Sequence, residues 1–391
     1  MNAPECNILV MGVSCFDGMA SSMRVRNLIE PLVEKKLISV SNLIYQKDNK
    51  EPIGKAGTLN NINFKVIGFR LKNIFSVFGF IFGGLSFIKK SKKWGYKNIL
   101  YNYNYPDIKN IWFILFAKLL GYKVIFDVIE DNSFQAHVGF INKLRIKTSV
   151  FLFNYSRHFA NGMIGISEHL YKLVQKVTKN KIPAYLIPIT VNLKYFKKNG
   201  IVKQKDKIQI FYGGSFGQKD GLEYLIKAFD EVSLIHSDAE LIFTGMGHKL
   251  DMDRINAQIE NATNKDKIIY KGFLNTNDYY TLLNECDIFC MTRVNSKFAN
   301  AGFPFKLGEF LASGKAVIAT NVGDVPNYLF NDINAMVVNP DSVEEIVDAL
   351  LILIEHPEKR QALGKEARKT AEKFFDSDAV GMKLLSIFHQ V

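Results

Sequence analysis

Lys306 and Glu309 stand three positions apart in the stretch FPFKLGEFLASGKAVIAT, residues 303–320. That spacing places an ammonium and a carboxylate on one side of a helical turn. Gly302 and Pro304 mark the helix start, proline being suited to the first helical position, and Gly314 follows its end. Phe303, Leu307, Phe310 and Leu311 supply an apolar face, while Lys306, Glu309 and Ser313 form the opposite stripe. A phosphate at this N-terminus would meet free amides and Lys306. One turn further on, Glu309 would grip a glycol such as ribose, because a carboxylate accepts from two adjacent hydroxyls. Cation then carboxylate suits a nucleoside diphosphate. The competing explanation is a solvated face with an intrahelical Lys/Glu pair, worth only a few tenths of a kcal/mol.

Other residues able to bind anions sit where strands give way to helices. FYGGSFGQKDGLEYLIKAF, residues 211–229, sets Gly213, Gly214, Ser215 and Gly217 between a strand and a helix expected to start near Asp220, with Lys219 adding charge. Such a turn points amides at a helix N-terminus and suits a diphosphate. FTGMGHKL repeats the arrangement with Gly245 and Gly247 after the next strand. Near the start of the chain, VSCFDGMASSMRVRNLIEPL offers Gly18, Ala20, Ser21 and Ser22, with Arg24 close by; an ordinary loop with a serine cap is the alternative there. FDVIEDNSFQAH places Asp127, Glu130 and His137 after a strand, as groups for a second substrate, although a surface or capping role also accounts for His137.

The elements that must position these groups alternate. NILVMGV, NILYNYNY, KVIFDVI, GMIGIS and AYLIPI in the first half, then IQIFYGG, AELIFTG, KIIYKG, CDIFCMT, KAVIAT and AMVV in the second, are near-continuous apolar runs separated by helical patterns. Such runs predict parallel sheets covered on both faces. With 391 residues, two doubly wound α/β domains are expected, joined by the polar, lysine-rich VNLKYFKKNGIVKQKDK. We place an N-terminal domain at residues 1–202, a second domain at 203–374, and a helical tail at 375–391 that could pack back on the first domain. Ligands of open parallel sheets sit outside the carboxyl ends of the strands, so the cleft between the two domains is the expected site.

Composition narrows the function further. A net charge of +12 admits nucleic acid, an anionic membrane or an anionic small molecule, and no nucleic-acid-binding signature accompanies it. Cys6, Cys15, Cys286 and Cys290 are too few and too scattered for a disulfide framework, and no histidine completes a zinc pattern. Two Asp-x-Asp triplets, at Asp251/Asp253 and Asp376/Asp378, fall in helical or connecting stretches and read as solvated acids. No carboxylate pair set for glycoside hydrolysis is evident. The N-terminus lacks the basic and apolar regions of a secretory signal, so a cytoplasmic location is expected. IFSVFGFIFGGLSFI, residues 74–88, is too short and too rich in glycine to span a bilayer. It reads as a buried helix or as an interfacial segment whose following KKSKKWGYK meets anionic lipid, on the cytoplasmic membrane face.

With these motifs assembled, the chain resembles the retaining, nucleotide-sugar-dependent glycosyltransferases of family 4, which have the GT-B architecture of two Rossmann-like domains. YGGSFGQKDGLEYLIKAF, LIFTGMG, IIYKGFL, CDIFCMTR and GFPFKLGEFLASGKAVIATNVGDVPN carry the likeness in the second half; DGMASSMRVRNLI, FDVIED, IGISEHL and LIPITVNLKYF carry it in the first. The resemblance implies that Glu309 holds the donor ribose. Gly302, Phe303, Pro304, Phe305 and Lys306, with Leu307 beside them, would match the loop and helix start at the diphosphate and sugar, and Gly18 to Ser21 the facing loop.

Three positions depart from the family pattern. The second glutamate falls on Ala301, the glycine-loop Arg and Lys fall on Ser215 and Asp220 with Lys219 shifted by one, and an expected Asp is Asn192. A subgroup with an FPxK helix start resembles this chain, which gives the phosphate charge to Lys306 and Arg293. The implied function is sugar transfer with retention from a nucleotide diphosphate sugar to a lipid-linked or growing surface polysaccharide, without metal or other cofactor. A sugar-nucleotide epimerase and a non-catalytic nucleotide-sugar-binding protein are the alternatives on the same scaffold.

Overall fold

The computed structural model describes residues 5–16, 20–45, 52–68, 74–134, 139–196 and 207–391. Two units divide the chain: Met1–Pro188 with Ser377–Val391, and Ile189–Asp376. In the first, the described elements run β1 (Cys6–Met11), α1 (Ala20–Glu34), β2 (Ile38–Tyr45), β3 (Ala56–Leu59), β4 (Ile62–Ile67), α2 (Ile74–Ser91), β5 (Lys97–Tyr103), α3 (Ile111–Leu119), β6 (Lys123–Val128), α4 (Phe140–Asn154), β7 (Gly162–Gly165), α5 (Glu168–Thr178) and β8 (Ala184–Leu186). The second continues with β9 (Ile208–Ser215), α6 (Leu222–Ile235), β10 (Ala239–Met246), α7 (Lys249–Glu260), β11 (Ile268–Tyr270), α8 (Thr276–Glu285), β12 (Ile288–Met291), α9 (Lys297–Ala301), α10 (Phe305–Ala312), β13 (Ala316–Thr320), β14 (Met336–Val338), α11 (Val343–Glu355) and α12 (Pro357–Phe374), before α13 (Ser377–Gln390) returns to the first unit.

In the first unit the sheet order is β3-β4-β2-β1-β5-β6-β7-β8, parallel except for the β3–β4 hairpin at one edge. Asn60 and Asn61, both with positive φ, make the tight turn that such a hairpin requires. Every residue of β1 is buried, as expected for a strand covered on both faces. α1 and α13 cover one face, sharing a core of Val25, Leu28, Leu32, Leu384 and Phe388 with alternate residues of β1 and β5.

In the second unit β11-β10-β9-β12-β13-β14 are all parallel. Phe229, Leu350 and Leu353 from α6 and α11 pack with Ile210, Leu241 and Ile318 of the sheet. The boundary falls at Pro188/Ile189 rather than at 202/203, which lies outside the described residues. Residues beyond Pro188 are held by the second unit: the Val191 amide donates to the Phe375 carbonyl, and Tyr195 stacks on Tyr280 with ring centroids 4.3 Å apart.

Candidate functional site

α10 begins at a Pro304 cap without a side-chain hydrogen bond, and from Lys306 to Ala312 every residue is buried. The surface-pair explanation of Lys306 and Glu309 is thereby removed. Leu307 and Leu311 lie in the core, and Phe310 packs edge-on against Phe211 of β9 and close to Phe289 of β12. These contacts pin the helix and aim its two charged residues at the carboxyl ends of β9 and at α8.

Lys306 is 9% exposed, and its Nζ lies 3.9 Å from the ring centroid of Tyr212, with no hydrogen-bond partner among the described residues. A cation over an aromatic face gains part of what it loses in leaving water, but not all. Burial pushes its pKa from 10.5 down to about 8; Asp220 pulls upward, and Arg293 and Lys219 add to the fall. Beside the ammonium runs Gly214, whose φ of +137° bars a side chain and whose position leaves only 3.3 Å between a hypothetical Cβ and Lys306 Nζ. Its cross-strand partner Gly245 has φ of +132°, and a Cβ there would strike the Gly214 carbonyl. Two glycines side by side thus keep a backbone-lined surface next to the buried cation.

Glu309 is buried, and its two oxygens accept from different tyrosines: Oε2 from the Tyr279 hydroxyl at 2.9 Å and Oε1 from the Tyr280 hydroxyl at 3.0 Å. Burial, followed by the charge of Glu309, drives the Tyr279 hydroxyl well above its ordinary pKa, so it remains a donor. A carboxylate offers about four lone-pair positions, and each tyrosine uses one on a different oxygen.

Around Lys306 stand three further charged groups. Arg293, buried, donates from Nη1 to the Ala299 carbonyl at 3.2 Å, and its Nε stays 3.9 Å from Asp220 Oδ1. Asp220 is buried and accepts from the Ser215 hydroxyl at 2.5 Å. Lys219 lies over the Phe298 ring at 4.4 Å. The sequence placed Ser215, Lys219 and Arg293 in this site, and the structure brings them together; it named Asp220 only as a helix start and a departure from the family pattern, and did not single out Tyr212, Tyr279 or Tyr280. Two adjacent tyrosines in NDYYTLL were the available signal for the pair on Glu309.

The sequence-derived positions at the helix start divide by what they can offer. Phe303 stacks on Tyr328 and meets Phe375 edge-on, and with Leu307 is core. Phe303, Pro304 and Leu307 are buried, while Gly302 and the Phe305 ring are partly exposed at the start of α10.

In the first unit Arg24 and Asp127, which the sequence reading set on the acceptor side, pair with each other. Both are completely buried, and Arg24 donates to Asp127 from Nε at 2.7 Å and from Nη2 at 2.8 Å. The guanidinium also reaches the Ile187 and Pro188 carbonyls, while the Tyr101 hydroxyl donates to Asp127 at 2.5 Å. Burial opposes the Arg24 charge, yet Asp127 holds its pKa above the ordinary value. This is a closed strut from α1 to β6 and β8. Glu130 is half-buried on the loop after β6, and Ser21 lies in the first turn of α1. Gly18 and His137 lie outside the described residues.

Two parallel sheets of this order, with a cation and a carboxylate at a helix that follows the strands, define the class: the chain has the GT-B fold. Residues 194–370 match the family Glycosyl transferases group 1. The uncharacterized glycosyltransferase YqgM of Bacillus subtilis is 23% identical over 234 residues, covering 59% of this chain and 62% of that protein. A sucrose-phosphate synthase from Thermosynechococcus elongatus superposes with a TM-score of 0.76 at 16% identity, over 100% of this chain and 99% of its own. Anabaena HepE, solved with UDP and glucose, gives a TM-score of 0.70 at 15% identity, over 98% of this chain and 100% of its own. The chain spans about half to two thirds of the length of YqgM and of the Bacillus subtilis spore coat protein SA, two curated relatives it matches.

Proposed function

We propose that the protein is a retaining glycosyltransferase that takes a sugar from a nucleoside diphosphate donor and places it on a lipid-linked or growing surface polysaccharide. The observation that carries this reading is the unpartnered, buried Lys306 ammonium beside the Gly214/Gly245 surface, one helical turn from Glu309. A cation left without a hydrogen bond costs stability unless an anion completes it. A diphosphate would do so, with Arg293 and Lys219 nearby and the amides at the start of α10 adding their dipole. Glu309, held by two tyrosines, would accept from the ribose hydroxyls.

As the glycosidic bond breaks, negative charge grows on the departing diphosphate, and fixed cations stabilise that charge more than they stabilise the ground state. The acceptor oxygen then bonds to the anomeric carbon on the face just vacated, and its proton passes to the leaving phosphate oxygen. No residue described here is required as metal ligand or nucleophile in that scheme. UDP is the first nucleotide to try, because the Anabaena neighbour holds it.

The test is a thermal melt with UDP, GDP, dTDP and CDP on the wild type and on Glu309→Ala. A nucleotide at one hundred times its dissociation constant adds about 2.7 kcal/mol, a shift of several degrees. Stabilisation by one nucleotide that disappears in Glu309→Ala is the expected result. No stabilisation by any of the four overturns the donor-site reading.

A further inference from the structure

The helices on the other face of the first sheet carry their apolar side chains outward. α2 links β4 to β5, α3 links β5 to β6 and α4 links β6 to β7, each crossing the sheet in the same direction, whereas α1 crosses in the opposite one. Right-handed crossovers therefore put α2, α3 and α4 together on one face, away from α1 and α13. α2 meets α3 through Phe80, whose ring contacts Phe113 edge-on at 5.2 Å, and through Gly84, where a Cβ would collide with the Phe113 ring.

Beyond that seam each helix shows a second, outward stripe. On α3, Phe113, Ile114 and Ala117 are buried while Trp112, Leu115 and Leu119 are exposed at i, i+3 and i+7. On α4, Ile146, Ser149 and Phe153 face inward, and Phe140, Leu144 and Phe151 align outward with Ile141 and Tyr155. α2 adds Phe78, Ile81 and Phe82, running toward Lys89 and Lys90. Trp94, Leu119, Phe140 and Ile141 are 80–87% exposed. Scattered exposed apolar residues are ordinary, but three neighbouring helices with ordered apolar stripes mark a contact surface.

Charge chooses the occupant. Residues 74–97, 108–126 and 139–158 contain twelve Lys or Arg and no Asp or Glu, and the rest of the chain holds 38 of each sign. The whole net charge of +12 thus resides in the segments that carry or flank these stripes. Lysines at the end of α2 and on α4, around aromatic and aliphatic side chains, have the composition of a helix lying in a lipid headgroup region. No described helix is long and apolar enough to cross a membrane.

We propose that the α2–α3–α4 face docks on an anionic bilayer, with the apolar stripes entering the headgroup boundary and the lysines pairing with lipid phosphates. This deepens the acceptor side of the proposed function by naming the surface that would meet a lipid-linked substrate. It does not depend on the donor site, and nucleotide melts would test that site separately.

The chain supplies its own probe, because its two tryptophans are both exposed, Trp112 on α3 and Trp94 in the turn just after α2. Full-length protein without nucleotide is mixed with vesicles of phosphatidylcholine alone or with about a third phosphatidylglycerol, and tryptophan emission and co-sedimentation are read together. Expected are a blue shift and pelleting with the anionic vesicles only, weakened by high salt. Each basic residue near the surface is worth about fivefold in partitioning, so Lys143→Gln/Arg145→Gln/Lys147→Gln should bind about a hundredfold more weakly. Phe140→Ser/Leu144→Ser should lose the blue shift, and both variants should melt with the wild type because the changed side chains are exposed or, for Arg145, only half-buried. Failure of the wild type to pellet with anionic vesicles overturns the proposal, as does undiminished binding by both variants. A blue shift that follows protein concentration without lipid, and is lost in Phe140→Ser/Leu144→Ser, assigns the face to a second copy of the chain instead.

Discussion

Arg24 and Lys306 are both buried cations, one in each unit, and their surroundings differ in completeness. Arg24 meets a bidentate carboxylate and two carbonyls, and Tyr101 donates to the same carboxylate. Lys306 meets the face of a tyrosine, with no hydrogen bond to its Nζ, and two of the charges around it repel it. A buried ion pair whose hydrogen bonds are all made holds elements in place, whereas a buried cation without an acceptor is a standing cost. The difference separates a residue that serves the fold from one whose stabilising partner must come from elsewhere. Both were equally plausible ligand contacts by residue type alone.

The sharpest break in this comparison comes from removing one partner of the complete pair. Asp127→Ala leaves the Arg24 guanidinium buried opposite nothing, and should lower unfolding free energy by about 3–5 kcal/mol in urea titrations. Replacing both partners, as in Arg24→Met/Asp127→Leu, should restore most of that loss. If Asp127→Ala cost less than about 1 kcal/mol, the strut would not be what joins α1 to β6 and β8, and an acceptor-side role for Asp127 would return.

Lys306→Met should act in the opposite sense. The fall from 10.5 to about 8 corresponds to about 3 kcal/mol of penalty on the charged form, so the substitution should stabilise the empty protein at pH 7 by up to that amount while weakening nucleotide binding. The pH dependence carries the sign. Because the folded value lies below the unfolded one, the unfolded chain binds more protons between about pH 8 and 10.5. Wild-type stability should therefore gain from this lysine as pH rises through that window, and Lys306→Met should lack the gain. Nucleotide affinity should fall above about pH 8 in the wild type but stay level in Lys306→Arg, whose charge does not titrate there. Identical stability profiles for wild type and Lys306→Met would mean the ammonium is solvated, and the contrast with Arg24 would vanish.

Sequence reading reached the parts of this contrast that are local. Apolar runs announced the strands, and Gly302, Pro304 and Gly314 bracketed α10, because caps and periodicity are written in consecutive residues. Whether Lys306 and Glu309 faced water was not legible: an i, i+3 Lys/Glu pair looks the same on a surface helix and on one roofed by Tyr212, Tyr279 and Tyr280. Arg24 and Asp127 lie 103 positions apart, and only the β1–β5–β6 order brings them together. The ties of Val191 and Tyr195 were hidden for a related reason, since their partners Phe375 and Tyr280 lie far along the chain. On α4 the helical period was present, yet period alone does not say which stripe faces the sheet.

The smallest expected effect tests how Glu309 is held. Tyr280→Phe removes one hydrogen bond to a charged acceptor and should cost about 1.5 kcal/mol of stability or less, since Tyr279 still donates to the other oxygen. If the tyrosines orient the carboxylate for a ribose diol, nucleotide affinity should fall several-fold in Tyr280→Phe and further in Tyr279→Phe/Tyr280→Phe, with each variant still folded. A double-mutant cycle with Glu309→Gln isolates the contact, because the affinity cost of Tyr280→Phe should shrink when the carboxylate is already gone. An unchanged cost in both backgrounds would show that Tyr280 acts only through its packing on Tyr195 and Phe196. The second unit would then contain a carboxylate that the fold satisfies as fully as it does Asp127, and Lys306 alone would remain as the open charge.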